Sequence, residues 1–556
     1  MDSHDAIVVG AGHNGLACAA YLAKAGWDIL VLERNREVGG AVRSGQITRP
    51  GFIHDLYATN QNLFRTSPVY RDFKQDLERH GLRYIISDKP YANAFPNGKN
   101  LRVYRNAQRT LELIRRHSAA DAEVWEQLYE THKAFGQTLA PLFGMPLPSV
   151  RAGLQVLRAA RQLGWRELLQ LMRIAMGSTR ELGEEYATTP ELRAVFAAWS
   201  MHLDFGPDVA TGAIFPLLEC FADMELGIGV AQGGASHMPE ALAALVREAG
   251  GTVRTEVEVR RVLTSSNRAT GVELASGERI EARRAVIANL TPAVLFGRLL
   301  ESAVLPESFR RQMASYRYGP GTMMIHLALS GVPPWQAGED LAEFAYVHIG
   351  PYVEDLAQTY VDSLAGRLPA SPLLVIGQTS AIDPSRAPGS GQVLWIQVRT
   401  VPSWIQGDAK GEIRARTWAD AKEPFADRVM NKLEAYAPGI KDLVLNRVVY
   451  SPEDLEHSNP NLVGGDSVSG SHHLRQNFVF RPAPGWSRYR MPIEGLYMVG
   501  AATWPGAGTH GTSGYLAAQM LLHPSDLRSR AVQLSTSLGS ALASGGRVVL
   551  DRALRR

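Results

Sequence analysis

Residues 6–33 read AIVVGAGHNGLACAAYLAKAGWDILVLE, and the spacing of their glycines decides the fold. Ala6–Val9 is a short run rich in β-branched residues, the composition of a buried strand. Gly10-x-Gly12-x-x-Gly15 follows at once. The first glycine permits a tight turn, the second lets backbone approach a pyrophosphate, and the third lets a helix pack on the strand. Leu16–Ala25 is alanine-rich and stops at Gly26, as a helix does. Asp28–Leu32 supplies a second strand, and Glu33 closes it about twenty residues past the glycines. A carboxylate there accepts hydrogen bonds from a ribose 2′-hydroxyl and repels a 2′-phosphate. The stretch is a βαβ unit for an adenine dinucleotide without a 2′-phosphate. FAD and NAD both fit, and NADP is disfavoured.

The next residues separate the two. Residues 34–44, RNREVGGAVRS, carry Gly39-Gly40 and then Arg43-Ser44. This resembles the signature of the large flavoprotein group that contains monoamine oxidases, phytoene desaturases and Rab GDP-dissociation inhibitors. The resemblance implies FAD, with the Gly-Gly turn and Arg43 against its diphosphate and ribityl chain. Bare backbone N–H groups and a guanidinium suit a diphosphate. It further implies cofactor contacts from His13, Asn14, Arg34, Ala58, Thr59 and Asn60. Residues 250–289 read as alternating short strands around a Ser276-Gly277 turn and end in the apolar strand Ala285–Ala288. By the same resemblance, Val257 holds the adenine through its backbone, and the strand ending near Asn289 returns the chain to the FAD sheet. Upstream, AQGGASHMPEALAALVREAG (231–250) resembles the helix that leads into that return. The FAD domain is therefore discontinuous.

A second run, GAATWPGAGTHGTSGYLAAQ at 500–519, contains Gly506-x-Gly508-x-x-Gly511. Gly495–Gly500 reads as a strand and Ser513–Leu522 as a helix, so this run also joins a strand to a helix. The rest of a βαβ unit is missing. Asp526 stands at the right count but follows no apolar strand. A second nucleotide is not expected. Instead, residues 500–512 offer N–H groups at a helix N-terminus to a partial negative charge. In flavoproteins of this architecture that charge is the N1–C2=O2 edge of the isoalloxazine, which implies contacts from Gly500, Ala501, Gly508, Thr509, Gly511 and Thr512. Residues 480–516 resemble the C-terminal signature of the phytoene desaturase-like branch, which includes carotenoid isomerases and retinol saturases. Two residues depart from its pattern. Trp504 replaces a smaller or imidazole side chain, and His510 replaces an aliphatic one, which weighs against a carotenoid substrate. His510 is also the polar side chain of the loop that titrates near neutrality, and so the candidate catalytic base.

Composition sets the remaining bounds. A chain of 556 residues is expected to divide into two or more lobes. With 45% hydrophobic and 20% charged residues it reads as globular, and a net charge of +3 gives no argument for nucleic acid. No apolar run reaches the roughly eighteen residues of a spanning helix. No basic leader or cleavage site precedes the first strand, so a cytoplasmic protein is expected. Cys18 and Cys220 form no CxxC, which excludes a disulfide framework. The histidines show no metal-ligand spacing. His472–His473 reads as a solvated loop, and no metal is expected.

The expected architecture is α/β: a discontinuous Rossmann-type FAD-binding domain with a mixed-sheet and helical substrate-binding lobe. The FAD domain takes 1–75, 225–300 and 485–525. A helical region takes 76–224, a sheet with helices takes 301–484, and a tail takes 526–556. Within 320–400 four strand patterns stand between Pro/Gly-rich turns, and a helix is expected over roughly 412–437. Residues 151–176 read as one amphipathic helix. Val156, Leu157, Ala160, Leu163, Leu171 and Ile174 share a face, opposite Arg151, Arg158, Arg166 and Arg173. That helix either packs on the lobe with a solvated basic face or forms a lid at a membrane surface.

The expected function is FAD-dependent oxidation: hydride removal from a C–H of a largely apolar small molecule, forming a C=C bond. Reduced flavin would then pass electrons to oxygen, a quinone or another acceptor. Isomerisation or saturation of a double bond, and amine oxidation, are the alternatives on the same fold. A non-enzymatic lipid escort is the alternative from another class, and it needs none of the flavin-binding residues.

Overall fold

The computed structural model describes residues 2–524, and the tail expected over 526–556, with Asp526, lies outside the described residues. β1 (Asp2–Val9), α1 (His13–Lys24) and β2 (Ile29–Leu32) form the expected βαβ unit. Val8 pairs in parallel with Val31 on one side and with Ile287 on the other. Thr252–Arg254 extends the parallel order beyond β2, and Leu496–Met498 extends it beyond Arg279–Ala288. Three distant parts of the chain thus share one sheet. The first half of Arg279–Ala288 pairs instead with an antiparallel ribbon, Val259–Ser265 and Arg268–Leu274.

Helices α1, His237–Glu248 and Thr512–Leu522 bury one face of this sheet. The antiparallel ribbon and residues 294–309 bury the other. Two glycines allow the tight packing of α1. A Cβ on Gly15 would stand 2.5 Å from the Gly10 carbonyl oxygen, and one on Gly514 would stand 1.9 Å from that of Asn14.

The second sheet has seven strands, in the order Val444–Tyr450, Gly321–Leu329, Gln392–Val401, Leu373–Gly377, Tyr346–Ile349, Tyr91–Ala94 and Asn100–Val103. Among these described strands, only the pairing of Tyr346–Ile349 with Tyr91–Ala94 is parallel. Gly321–Leu329 is buried at every position, which explains why its sequence is apolar apart from Thr322 and His326. Trp418–Tyr436 covers one face, and its start is set by the Thr417 side chain capping the N–H of Asp420. The other face, with Met324, Tyr346, Val375 and Trp395, looks toward the helices of the lobe.

The 76–224 region is not purely helical. It includes the strands Tyr84–Ser87, Tyr91–Ala94 and Asn100–Val103, and the last two complete the seven-stranded sheet. Their partner Tyr346–Ile349 lies far along the chain, so local sequence carries little sign of the pairing. The single helix expected over 151–176 is two, Val150–Leu163 and Trp165–Met176. Gly164 breaks it with φ +84°, a conformation a Cβ would oppose. Ala160, Leu171 and Ile174 are buried as expected, whereas Val156 and Leu157 are exposed.

Candidate active site

A cavity of about 1100 Å³ runs from the glycine turns of the first sheet to the inner face of the second. Gly12, His13, Asn14, Gly39, Gly40 and Asn289 line one end, with Ala58, Thr59 and Asn60 beside them. Gly500, Ala501, Gly508, Thr509, His510 and Thr512 line the adjoining wall. Gly10, Gly15 and Gly511 shape the turns without lining the cavity, and Gly10 and Gly511 take positive φ.

The two N-terminal glycine turns lie side by side. Gly39 N–H donates to the Ala11 carbonyl at 2.9 Å, and a Cβ on Gly40 would come within 3.4 Å of Gly12 Cα. Gly12 caps α1 with no side-chain hydrogen bond and no acidic residue follows in the first turn, so the helix N-terminus is left to a ligand. Asn14 Oδ1 is buried without a partner among the described residues, an acceptor suited to a hydroxyl donor. Glu33 is buried and accepts the N–H groups of Ala11 and Asn35 at 2.9 Å each. Val257 lies against it, its N–H donating to the Glu33 carbonyl at 2.8 Å.

Two expected contacts point elsewhere. Arg43 pairs with Glu37 at 3.1 Å and does not line the cavity, because a carboxylate just across the Gly-Gly turn claims its charge. Arg34 is exposed and donates to the His457 carbonyl at 2.8 Å.

The second glycine run closes on the first. His13 Nε2 lies 3.2 Å from the Gly508 carbonyl oxygen, and Thr509 Oγ1 donates to the Asn60 carbonyl at 3.2 Å. Gly500 N–H donates to Ser513 Oγ, which ties the loop to its own helix. Gly511 caps that helix with no side-chain hydrogen bond.

His510 does not fit a base. Its Nδ1 accepts the Thr512 N–H at 2.9 Å, and its Nε2 donates to the Gly506 carbonyl at 3.2 Å. Burial holds the ring neutral, its pKa pushed down to about 3. Both nitrogens are spent on the loop. His472 and His473 also differ from expectation. Buried His472 accepts the Ala507 N–H at 2.9 Å, and His473 Nε2 lies 2.9 Å from the Asp204 carbonyl oxygen. Both tether the loop around them, His472 from a buried position and His473 with its side chain still about 34% exposed. Trp504 is fully enclosed; it donates to the Met145 carbonyl at 2.9 Å and stacks on Phe143. The departure from the branch pattern at 504 thus pins the 139–147 segment over the cavity.

The far end holds residues that motif reading did not reach. Trp199, Tyr346, Trp395 and Met324 form apolar walls. Arg399 donates to the carbonyls of Met201 and His202 and to Ser467 Oγ; burial lowers its pKa to about 10, so it stays charged. Glu219 and Asp223 open into the same space. Their one trace in sequence is two acids four residues apart within the apolar run FPLLECFADM (215–224).

Comparison with known proteins agrees with this geometry. The family model of flavin containing amine oxidoreductases matches residues 15–522. Pyridine nucleotide-disulfide oxidoreductase domain-containing protein 2 of Rattus norvegicus is 28% identical, with 93% of each chain covered. One of the limonene dehydrogenase polypeptides of Castellaniella defragrans is 26% identical, covering 93% of this chain and 94% of that one. A neurosporene-forming phytoene desaturase of Cereibacter sphaeroides is also 26% identical, over 95% of this chain and 96% of its own. Among solved structures, an oxidoreductase from Methanosarcina mazei shares the fold with a TM-score of 0.59 at 16% identity, covering 93% of this chain and 99% of that one. Paired glycine turns, an uncapped helix N-terminus and a buried carboxylate suit the two ends of one FAD. The chain belongs to the family of flavin containing amine oxidoreductases, resembles its phytoene desaturase-like branch, and is an FAD-dependent oxidoreductase.

Proposed function

We propose that the protein removes two hydrogens from adjacent carbons of a largely apolar small molecule and leaves a C=C bond. The observation that carries this reading is the wall of the cavity beyond the glycine turns, built from Trp199, Tyr346, Trp395 and Met324. Such walls bind hydrocarbon by burying its area, at about 25 cal/mol per Å². The names of two relatives, a limonene dehydrogenase and a phytoene desaturase, agree with an apolar substrate.

FAD supplies the hydride acceptor when bound. Its diphosphate would lie at the N-terminus of α1 and the Gly39-Gly40 turn, and its ring edge at residues 500–512. Trp504 and the 139–147 segment exclude water, and His510 shapes the loop as a positioning residue. The helical pair Val150–Leu163 and Trp165–Met176 would draw substrate from a lipid surface. It exposes Leu154, Leu157, Trp165, Leu169 and Met172 by 47–65%, while its Arg151 lines the cavity.

One observation favours amine oxidation as a second reading. Tyr346 and Trp395 lie parallel, 5.9 Å apart, and rings so placed attract a cation. Anaerobic mixing with limonene, a linear isoprenoid and a long-chain amine separates the two. Hydrocarbons are expected to bleach the flavin; bleaching by the amine alone would overturn the first reading.

A further inference from the structure

Pro216–Cys220 is a π-helical turn that runs directly into the helix Phe221–Leu226. Such widened turns are rare, re-aim the side chains around them and recur at functional sites. This one carries Glu219, and Asp223 follows four residues later, so both carboxyls face the cavity.

Their surroundings differ. Asp223 is anchored: Asn60 Nδ2 lies 3.2 Å from each of its oxygens, and Asn62 Nδ2 donates to one of them at 2.7 Å. Asn60 is the residue whose carbonyl accepts Thr509 Oγ1, so Asp223 stands two hydrogen bonds from the second glycine loop. Glu219 has no hydrogen bond or ion pair with another described side chain, and it opens to the site.

Among the described residues, no cation neutralises the pair by contact. Arg399 is committed to backbone carbonyls and Ser467, and Arg65 donates to Asn62 Oδ1 at 2.8 Å. Tyr91, Tyr346 and Cys220 are held neutral by burial, as are His202 and His348. Burial, and then Asp223, pushes Glu219 up to about 8. Burial pushes Asp223 up to about 7 against its two asparagine donors. The like charge of Asp223 disfavours a charge on Glu219, so Glu219 keeps its proton near neutrality and becomes a free carboxylate as pH rises through about 8.

We propose that Glu219, backed by Asp223, is the catalytic residue that accepts the proton from the substrate carbon next to the one giving up hydride. This rests on the C=C-forming reading above. Two C–H bonds break and one π bond forms. Hydride leaves with its electron pair to FAD. The proton goes to a Glu219 carboxylate oxygen, and the electron pair of that second C–H becomes the π bond. Glu219 passes from carboxylate to carboxylic acid, and the proton then leaves to water at the cavity mouth.

The test uses the FAD-loaded protein, infrared pH-difference spectra and stopped-flow flavin reduction by limonene. The parent is expected to lose a protonated-carboxyl band as pH rises through neutrality. Glu219→Gln should remove the component near pH 8 and leave that of Asp223 near pH 7, and Asp223→Asn should move the Glu219 component to lower pH by removing the like charge. Glu219→Gln should also slow flavin reduction by about 100-fold or more and flatten the acid limb of its pH profile. Asp223→Asn should keep that limb but shift it downward. A parent-like titration or an undiminished rate in Glu219→Gln would overturn the role of Glu219 alone. Failure of limonene and every other hydrocarbon to bleach the parent would overturn the underlying reading, and the role with it.

Discussion

Glu33 spends its two oxygens on the N–H groups of Ala11 and Asn35, so the carboxylate that would meet a ribose also fixes the turn that meets the diphosphate. That economy makes the glycine turns intolerant of change. A Cβ on Gly12 would stand 2.8 Å from Asn289 Nδ2, at the wall the cofactor must approach. Gly12→Ala is expected to weaken FAD binding by about tenfold or more, at least about 1.4 kcal/mol, with the far-UV circular dichroism retained. The flavin absorbance per protein checks this. His510 makes a contrasting case, because both its nitrogens are engaged and burial keeps it neutral. His510→Gln should reduce its flavin within about threefold of the parent rate, with an unaltered profile over about pH 6 to 9. A loss of about 100-fold would restore it as the base. The glycine motifs and Glu33 were legible because φ, a missing Cβ and a nearby charge are local demands. Glu219 was not, because its chemistry arises from burial in a cavity built by distant residues and from Asp223, which Asn60 and Asn62 anchor. Arg43 departs from expectation because Glu37 is an equally local competitor for its charge.

Trp504 acts at the scale of elements, joining the second glycine loop to the 139–147 segment through Met145 and Phe143. Trp504→Ala should cost about 3–5 kcal/mol in denaturant unfolding, the range for emptying a buried aromatic site. It should also let solvent quench the flavin. The helical pair over 150–176 is the opposite kind of element, with large apolar side chains left uncovered. Replacing Leu157 and Trp165 with Glu should sharply reduce flotation with anionic liposomes while FAD content stays at the parent level. Unchanged flotation would return the pair to an ordinary surface role. Arg173 is a poor probe of that surface, because a two-pronged ion pair with Glu185 already engages it. The helical period was visible in this stretch, but Gly164 splits it into two helices, and Val156 and Leu157 of the first are left exposed while Leu171 and Ile174 of the second are buried. The exposed set is therefore not the one a single 3.6-residue period predicts. The strands of 320–400 were legible as apolar runs, whereas Tyr91–Ala94 and Asn100–Val103 depend on a partner far along the chain.

At the scale of the whole molecule, three separated segments must meet in one sheet, and many buried imidazoles lie around the resulting cavity and the second sheet. His13 and His54 are pushed down to about 4, His348 and His510 to about 3, and His202, His326 and His472 also fall, all first through burial. Folded values below the unfolded value of about 6.5 mean that their contribution to stability is complete above that pH and is lost as pH falls toward the folded values. Glu219 and Asp223, raised, act in the opposite sense: their contribution is present at low pH and lost as pH rises through about 7 and 8. The lowered imidazoles outnumber the two raised carboxyls, so Tm should fall between about pH 7 and 5. A flat or rising Tm over that interval would contradict this. The central claim concerns the bond that is made, and the mass of the product of one anaerobic turnover with limonene tests it most directly. A product with the same carbons and two hydrogens fewer, formed as the flavin bleaches, is expected; a product of unchanged mass, or turnover only of an amine that loses its nitrogen, would contradict the account.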